Sequence, residues 1–132
     1  MLIASGPSLT AEDVDFCRDK ARVIAVNDSY RLASWADALY AYDYEWWHHH
    51  SAALDFPGQK WTANPKAAQK WSLCFVAGSS GGGLSKNPNR IHYGSNSGFQ
   101  ALNLAILFGV SRIVLLGYDM KRDSQGKAHW FG

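Results

Sequence analysis

The sequence predicts an α/β fold, namely a single Rossmann-like domain with an open, mostly parallel sheet and helices on both faces. Short apolar runs without alternation, at residues 23–26 and 113–116, are typical of strands buried on both faces of a parallel sheet. Helical segments separate the runs, and strand–helix–strand order with short connections is the pattern of an open α/β sheet. We therefore expect residues 1–132 to form one domain. The sequence leaves open whether the domain is truncated at its C-terminus, because the chain ends abruptly after its last predicted strand.

Composition and charge argue against two classes of protein. A net charge of +2 without a basic run is evidence against nucleic-acid binding. No stretch approaches the ~20 consecutive apolar residues of a membrane-spanning helix. The two cysteines, Cys17 and Cys74, provide no disulfide framework and favour a reducing, cytoplasmic location. The charged fraction of 18% is low, which indicates buried or partner-covered surface and leaves a homo-oligomer open.

The first ten residues predict a strand, a tight turn and the start of a helix. The apolar residues 2–4 are followed by four small residues, Ser5, Gly6, Pro7 and Ser8. Thr10 is the expected N-cap of a helix over residues 10–20. Such a turn leaves backbone N–H groups free at a helix N-terminus, where the helix dipole also stabilises an anion. We therefore expect a phosphate-binding turn.

The rest of the chain predicts further short elements. Strands are expected at residues 38–42, 60–63 and 73–76, and short helices at residues 30–35, 44–51 and 64–69. Residues 78–88 are rich in Gly, Ser, Asn and Pro, which predicts a mobile surface loop. The clearest helix covers residues 99–108, with Asn96 or Ser97 as its N-cap and Gly109 as its terminator.

Small or polar residues follow four of the predicted strands. In an open parallel sheet the ligand binds outside the carboxyl ends of the strands, so we expect one site at this edge. The candidate binding residues are Ser5, Gly6, Pro7, Ser8, Asn27, Asp28, Asp43, Asn96, Ser97, Gly98 and Asp119. Lys121 and His129 follow the last strand and are the candidate catalytic residues, because either side chain could stabilise a leaving group or move a proton.

Three familiar motifs are incomplete in this chain. The dinucleotide fingerprint G-x-G-x-x-G retains only Gly6, although Asp28 follows at about the distance of a ribose ligand. Residues 78–83 have the glycine spacing of a P-loop without the Lys and Ser/Thr that must follow. The three consecutive histidines at residues 48–50 point in different directions on a helix. They predict a solvent-facing or lid-like cluster and no metal site.

Several short motifs occur in the order found in a known family. They are residues 4–9 (ASGPSL), 26–30 (VNDSY), 42–44 (YDY), 96–98 (NSG), 105–110 (AILFGV) and 116–119 (LGYD). Together they resemble the bacterial sialyltransferases of glycosyltransferase family forty-two. They also resemble a related group that includes 6-hydroxymethylpterin diphosphokinase-like proteins and many uncharacterised phage proteins. The resemblance covers most of the chain outside residues 46–92.

The resemblance implies a site for a CMP-type donor. In the sialyltransferases, the Gly-Pro-Ser turn and the Asn after the second strand cradle the donor. This match places residues 5–8 and Asn27 near its phosphate or ribose. Asp43 stands where the family has a donor-contacting Asn, and residues 96–98 match its Thr-Ser-Gly turn.

The chain departs from that family after its last strand. Met120 and Lys121 occupy the place of tyrosines that assist the leaving phosphate, and only His129 is available as the catalytic histidine of a later lid. The leading interpretation is a transferase with a nucleotide or nucleotide-sugar donor and no required cofactor. In it, backbone N–H groups at residues 6–9 and 97–99 hold phosphate oxygens. Two alternatives stay open: a non-catalytic, phage-type nucleotide-binding or protein-interaction module, and an ATP-dependent diphosphokinase that would require Mg²⁺.

Overall fold

The computed structural model describes residues 1–131, and within them the chain forms eight short strands and four α-helices. The strands are β1 (Leu2–Ile3), β2 (Ile24–Val26), β3 (Ala38–Tyr40), β4 (Gln59–Thr62), β5 (Cys74–Phe75), β6 (Ala77–Ser79), β7 (Arg90–His92) and β8 (Leu115–Leu116). The helices are α1 (Ala11–Phe16), α2 (Tyr44–His49), α3 (Pro65–Trp71) and α4 (Ser97–Leu107). Two 3₁₀ segments, Asn27–Arg31 and Ser51–Asp55, complete the connections.

Six of these strands form one sheet in the order β5-β4-β3-β2-β1-β8, and every neighbouring pair is parallel. The chain builds the sheet outward from β1 to β5 and then returns to place β8 on the other side of β1. Leu2 consequently lies opposite Ile24 on one side and Leu115 on the other. The predicted α/β fold with a parallel sheet is confirmed. A separate two-stranded sheet pairs β6 with β7.

Alternate side chains of the strands enter two different apolar clusters, as the two-residue period of a strand requires. One cluster combines Ile3, Ala25 and Leu39 of the sheet with Val14 of α1, Trp47 of α2 and Ala67 of α3. The other combines Leu2, Ile24, Ala38 and Tyr40 with Ala101, Leu104 and Ala105 of α4. Residues of α1, α2 and α3 therefore belong to the first cluster, and residues of α4 belong to the second.

Helix α4 begins and ends close to the predicted positions. The side-chain oxygen of Asn96 accepts a hydrogen bond from the Phe99 N–H at 2.9 Å, so the predicted N-cap is confirmed. Helix α1 is shorter than predicted and ends at Phe16. No helix within residues 1–131 is long and apolar enough to cross a bilayer.

Two stretches differ from the sequence prediction. The last strand of the main sheet is two residues long, because only Leu115 and Leu116 pair with β1. A continuous loop was expected over residues 78–88, but this segment begins within β6 and includes the buried Ser85. The side-chain oxygen of Asn103 accepts hydrogen bonds from the Ser85 and His92 N–H groups, both at 2.9 Å. A distant residue of α4 therefore fixes the segment.

Candidate functional site

A cavity of about 400 Å³ opens at the carboxyl ends of β1, β2 and β8. Sheet growth reverses at this point, because β1 leads to β2 on one side and pairs with β8 on the other. Open α/β sheets bind their ligands in the crevice at such a switch point. Nine of the expected site residues line the cavity, namely Ser5, Gly6, Asn27, Asn96, Ser97, Gly98, Asp119, Lys121 and His129.

The turn after β1 has no spare backbone donors between residues 6 and 9. The Gly6 N–H donates to the Gly117 carbonyl at 2.7 Å, and the Leu9 N–H donates to the Gly6 carbonyl at 3.1 Å. The Ser8 N–H donates to the carboxylate of Asp119 at 2.9 Å, and the intervening proline carries no N–H. The prediction that these N–H groups hold a phosphate is therefore wrong. The turn after β8 accepts from Gly6 and Ser8, and the Gly6 carbonyl accepts from Leu9.

Gly6 is required for close packing at the floor of the cavity. A Cβ at this position would lie 2.2 Å from a carboxylate oxygen of Asp119 and 2.5 Å from the Gly117 carbonyl oxygen. Asp119 also accepts a hydrogen bond from the Ser8 hydroxyl. These hydrogen bonds from Ser8 lower the pKa of Asp119, because they stabilise the charged form. The two turns thus form one hydrogen-bonded unit.

Asn27 lies at the end of β2, and the structure leaves its side-chain oxygen free. Its backbone has a positive φ of 49°, a conformation that asparagine tolerates better than most residues. Its Oδ1 atom is buried and has no hydrogen-bond partner within residues 1–131. A buried polar atom without a partner is costly unless a ligand or water satisfies it. Asn27 also lines the cavity.

The first turn of α4 forms the opposite wall of the cavity. Asn96 occupies the Phe99 N–H, whereas the N–H groups of Ser97 and Gly98 lie in the first turn, where helices have no internal acceptor. The Ser97 hydroxyl accepts from the Tyr42 N–H at 3.4 Å, and the Tyr118 hydroxyl donates to the Gly98 carbonyl at 3.1 Å. Burial raises the pKa of Tyr118, so its hydroxyl remains a donor.

The segment after β8 folds back to the cavity and brings basic side chains to it. Lys121, Arg122 and His129 all line the opening. The Nδ1 atom of His129 lies 3.0 Å from the Ser5 hydroxyl oxygen, and the Trp130 N–H donates to the Ser5 carbonyl at 3.1 Å. Residues 129–130 thus contact Ser5, which follows the carboxyl end of β1.

Four expected site residues do not line this cavity: Pro7, Ser8, Asp28 and Asp43. Pro7 and Ser8 belong to the turn that shapes it. Asp28 faces a different cluster, where it accepts from the Trp46 indole N–H at 3.1 Å and lies 3.2 Å from the His50 Nε2 atom. Asp43 stands at the N-cap position of α2 without a side-chain capping bond. The structure therefore does not place Asp28 or Asp43 at the cavity.

The histidine-rich helix α2 does not assemble a metal site with other residues. His50 stacks on Trp46 with ring centroids 4.5 Å apart, and its Nδ1 atom lies 2.8 Å from the Trp46 carbonyl oxygen. The Nδ1 atom of His49 contacts the Glu45 carbonyl oxygen at 2.7 Å. Within residues 1–131, no group of three or more His, Cys, Asp or Glu side chains is arranged to hold a metal ion.

Tyr118 and Arg122 also line the cavity, although the sequence did not place them among the candidate site residues. Tyr118 belongs to the Gly-Tyr-Asp turn at a strand end, which is a usable signal for its position. Its contact with Gly98 depends on how α4 packs against the sheet, and no local pattern encodes that contact. Arg122 carries no signal beyond its charge and its position after the last strand.

Comparisons with protein-family models, curated proteins and solved structures find no match to this chain.

Proposed function

We propose that this chain is one Rossmann-like domain over residues 1–132, with helices on both faces of its sheet, that binds a nucleotide or nucleotide-sugar donor. The observation that carries the proposal is the cavity at the point where the sheet reverses its direction of growth. Ligands of open α/β sheets bind at this position. The two apolar clusters, with α4 in one and α1 to α3 in the other, support helices on both faces.

The walls of the cavity suit a phosphate attached to a sugar. The N–H groups of Ser97 and Gly98 at the start of α4 offer donors and the positive end of a helix dipole to phosphate oxygens. The free Asn27 oxygen accepts from a hydroxyl of the ribose or sugar. Lys121 and Arg122 add positive charge to the same opening. The turn at Gly6 shapes the floor without donating to the ligand.

A group-transfer reaction is the proposed activity, with His129 as the group that moves a proton. Asp119 is the one carboxylate that lines the cavity within residues 1–131, and both of its oxygens accept hydrogen bonds from Ser8. His129 is therefore better placed than Asp119 to act as a general base toward an acceptor hydroxyl. Lys121 stabilises the charge that develops on the departing nucleotide phosphate. The resemblance to family forty-two sialyltransferases supports a nucleotide-sugar donor.

A binding experiment tests the first part of the proposal. Calorimetric titrations with CMP, UDP, ATP and inorganic phosphate compare the unmodified chain with Asn27→Ala and with Asn89→Ala, a control in an exposed segment. At least one nucleotide is expected to bind, and Asn27→Ala is expected to weaken that binding by about tenfold, the scale of one lost hydrogen bond. The control should bind as the unmodified chain does. No binding of any nucleotide at millimolar concentration contradicts the proposal.

A turnover screen separates the three possible functions. The chain is incubated with CMP-sugars, UDP-sugars and ATP, with and without Mg²⁺, and released nucleotide is measured. Release of CMP or UDP that His129→Asn abolishes supports the transferase. Formation of AMP from ATP with Mg²⁺ identifies the diphosphokinase, and binding without turnover identifies the non-catalytic module. The last alternative is favoured by one observation, the half-exposed apolar side chains of Phe108, Val110 and Leu115, which fit a protein interface.

The proposed location is the cytoplasm. Cys17 and Cys74 are both free thiols in the structure, which agrees with a reducing compartment.

A further inference from the structure

A second cavity, also of about 400 Å³, lies at the amino ends of the strands, and it shares no lining residue with the first. Its walls include the start of β1 at Leu2, of β2 at Ile24 and of β3 at Ala38. The last turn of α4 and the segment before β8 close the other side. The volume lies within the range of about 300–1,000 Å³ that is usual for small-molecule sites.

The body of this second cavity is apolar, and two of its side chains remain open to solvent. Leu2, Ile24 and Ala105 are buried at its base. Phe108 is 45% exposed and Val110 is 44% exposed, although both border the concave surface. Large apolar side chains that remain exposed around a concave surface mark a site for an apolar ligand group.

Two guanidinium groups, one carboxylate and the α-ammonium group of Met1, which donates to the Arg22 carbonyl, belong to residues that line the cavity. Arg22 forms an ion pair with Asp37, and Asp37 also accepts from the Val23 N–H at 2.8 Å. The charge of Asp37 is therefore compensated within the chain. Arg112 lines the same cavity and has no hydrogen bond or ion pair within residues 1–131. The cavity consequently combines an apolar wall with a guanidinium group, that of Arg112, that has no partner among the described residues.

We propose that this second cavity binds a small amphipathic carboxylate, with its hydrocarbon body against the apolar wall and its carboxylate on Arg112. A guanidinium group presents its N–H donors in a planar fork that matches the two oxygens of a carboxylate. Neither a neutral alcohol nor a small inorganic anion satisfies both parts of the cavity. This site is separate from the proposed nucleotide site, which lies at the other end of the strands.

Calorimetry with octanoate, 1-octanol and inorganic phosphate tests the proposal on the full chain. Octanoate is expected to bind saturably, whether or not the nucleotide site is occupied, and more tightly than either other probe. Arg112→Gln should weaken octanoate binding by about tenfold, the scale of one lost charge-assisted interaction. The matched control is Arg90→Gln, which removes an exposed arginine that does not line the cavity, and it should bind octanoate normally.

A second variant tests the apolar wall independently. Ala105→Phe adds a ring to a buried position that lines the cavity and should abolish octanoate binding. Circular dichroism verifies that Ala105→Phe is folded. If Ala105→Phe does not fold, the octanoate affinity of Arg112→Gln decides the test. Octanoate that does not bind saturably at millimolar concentration overturns the proposal. It is equally overturned if octanol binds as tightly as octanoate, or if Arg112→Gln binds octanoate like the unmodified chain.

Discussion

Ser8 donates two hydrogen bonds to the carboxylate of Asp119, one from its hydroxyl and one from its backbone N–H, across 111 positions of sequence. The two residues belong to the turns that follow β1 and β8, which are the neighbouring strands where the sheet reverses. This contact connects the two turns at the cavity floor, and it leaves the Ser8 N–H with no capacity to bind a ligand.

The first prediction concerns the pH dependence of that contact. The pKa of Asp119 is lowered by the hydrogen bonds from Ser8. A carboxylate of this kind contributes stability above its unfolded-state pKa of about 3.9, and the contribution is lost as the pH falls through its lower folded-state pKa. Ser8→Ala should reduce the free energy of unfolding at neutral pH by at most about 1 kcal/mol, because solvent reaches the carboxylate.

Urea unfolding at neutral pH and at a pH well below ~3.9, under the folded-state pKa of Asp119, measures this effect. At neutral pH the unmodified chain should have the larger free energy of unfolding. At the acidic pH the unmodified chain and Ser8→Ala should have equal free energies of unfolding. Asp55→Asn replaces an exposed carboxylate elsewhere and serves as the control. A Ser8→Ala variant with the same acid dependence as the unmodified chain would show that the contact carries no linked stability.

The second prediction concerns Gly6. An alanine here places its Cβ against Asp119 and the Gly117 carbonyl, at distances that real Cβ atoms do not show. We expect Gly6→Ala to lower the free energy of unfolding by about 1–3 kcal/mol, the usual cost of overpacking. Gly82→Ala is the control, since a Cβ there meets no atom within 4 Å. Thermal unfolding should separate the two variants, and equal melting temperatures would contradict the packing argument.

The third prediction separates the backbone of Asn27 from its amide. The positive φ disfavours a β-branched side chain, so Asn27→Val should cost about 1–2 kcal/mol of stability, whereas Asn27→Gly should be tolerated. Both variants remove the amide and should weaken nucleotide binding equally in the calorimetric titration. If Asn27→Gly retains full affinity, the free oxygen of Asn27 has no part in binding.

The fourth prediction concerns a buried contact between β3 and α4. The Tyr40 hydroxyl donates to the Gln100 side-chain oxygen at 2.7 Å, and burial raises the pKa of Tyr40, so the hydroxyl stays protonated. Tyr40→Phe leaves a buried acceptor without its donor and should cost about 1–3 kcal/mol in urea unfolding. Tyr44→Phe is the control, because its hydroxyl only meets Lys70 at the surface. A cost no larger than that of the control would contradict the prediction.

Local patterns predicted the parts of this fold that depend on local physics. The Asn96 cap could be read from the sequence because a capping side chain bonds an N–H only three residues away. The polar strand ends could be placed on one edge because parallel strands present their carboxyl ends together. Nine candidate residues do line one cavity, since that edge is common to them.

The remaining features depend on long-range contacts that a local pattern does not contain. The Gly-Pro-Ser turn looked free to bind an anion, but Gly117 and Asp119 occupy its donors. The segment around Ser85 looked like a loop, but Asn103 holds it. Asp28 looked like a ribose ligand, but its carboxylate accepts a hydrogen bond from Trp46 and contacts His50 instead. In each case the decisive partner lies at least 18 positions away in the sequence.

The position of β1 has a consequence for biosynthesis. Leu2 pairs with Leu115, so β1 gains this second neighbour only after all the residues between the two strands have been made. During translation, one edge of β1 has no paired strand until β8 is made. The apolar side chains of the sheet that pack against α4 likewise stay exposed until α4 is made. Such late, non-local pairing is slow and prone to aggregation. We therefore expect the nascent chain to depend on chaperones until residues 115–116 leave the ribosome.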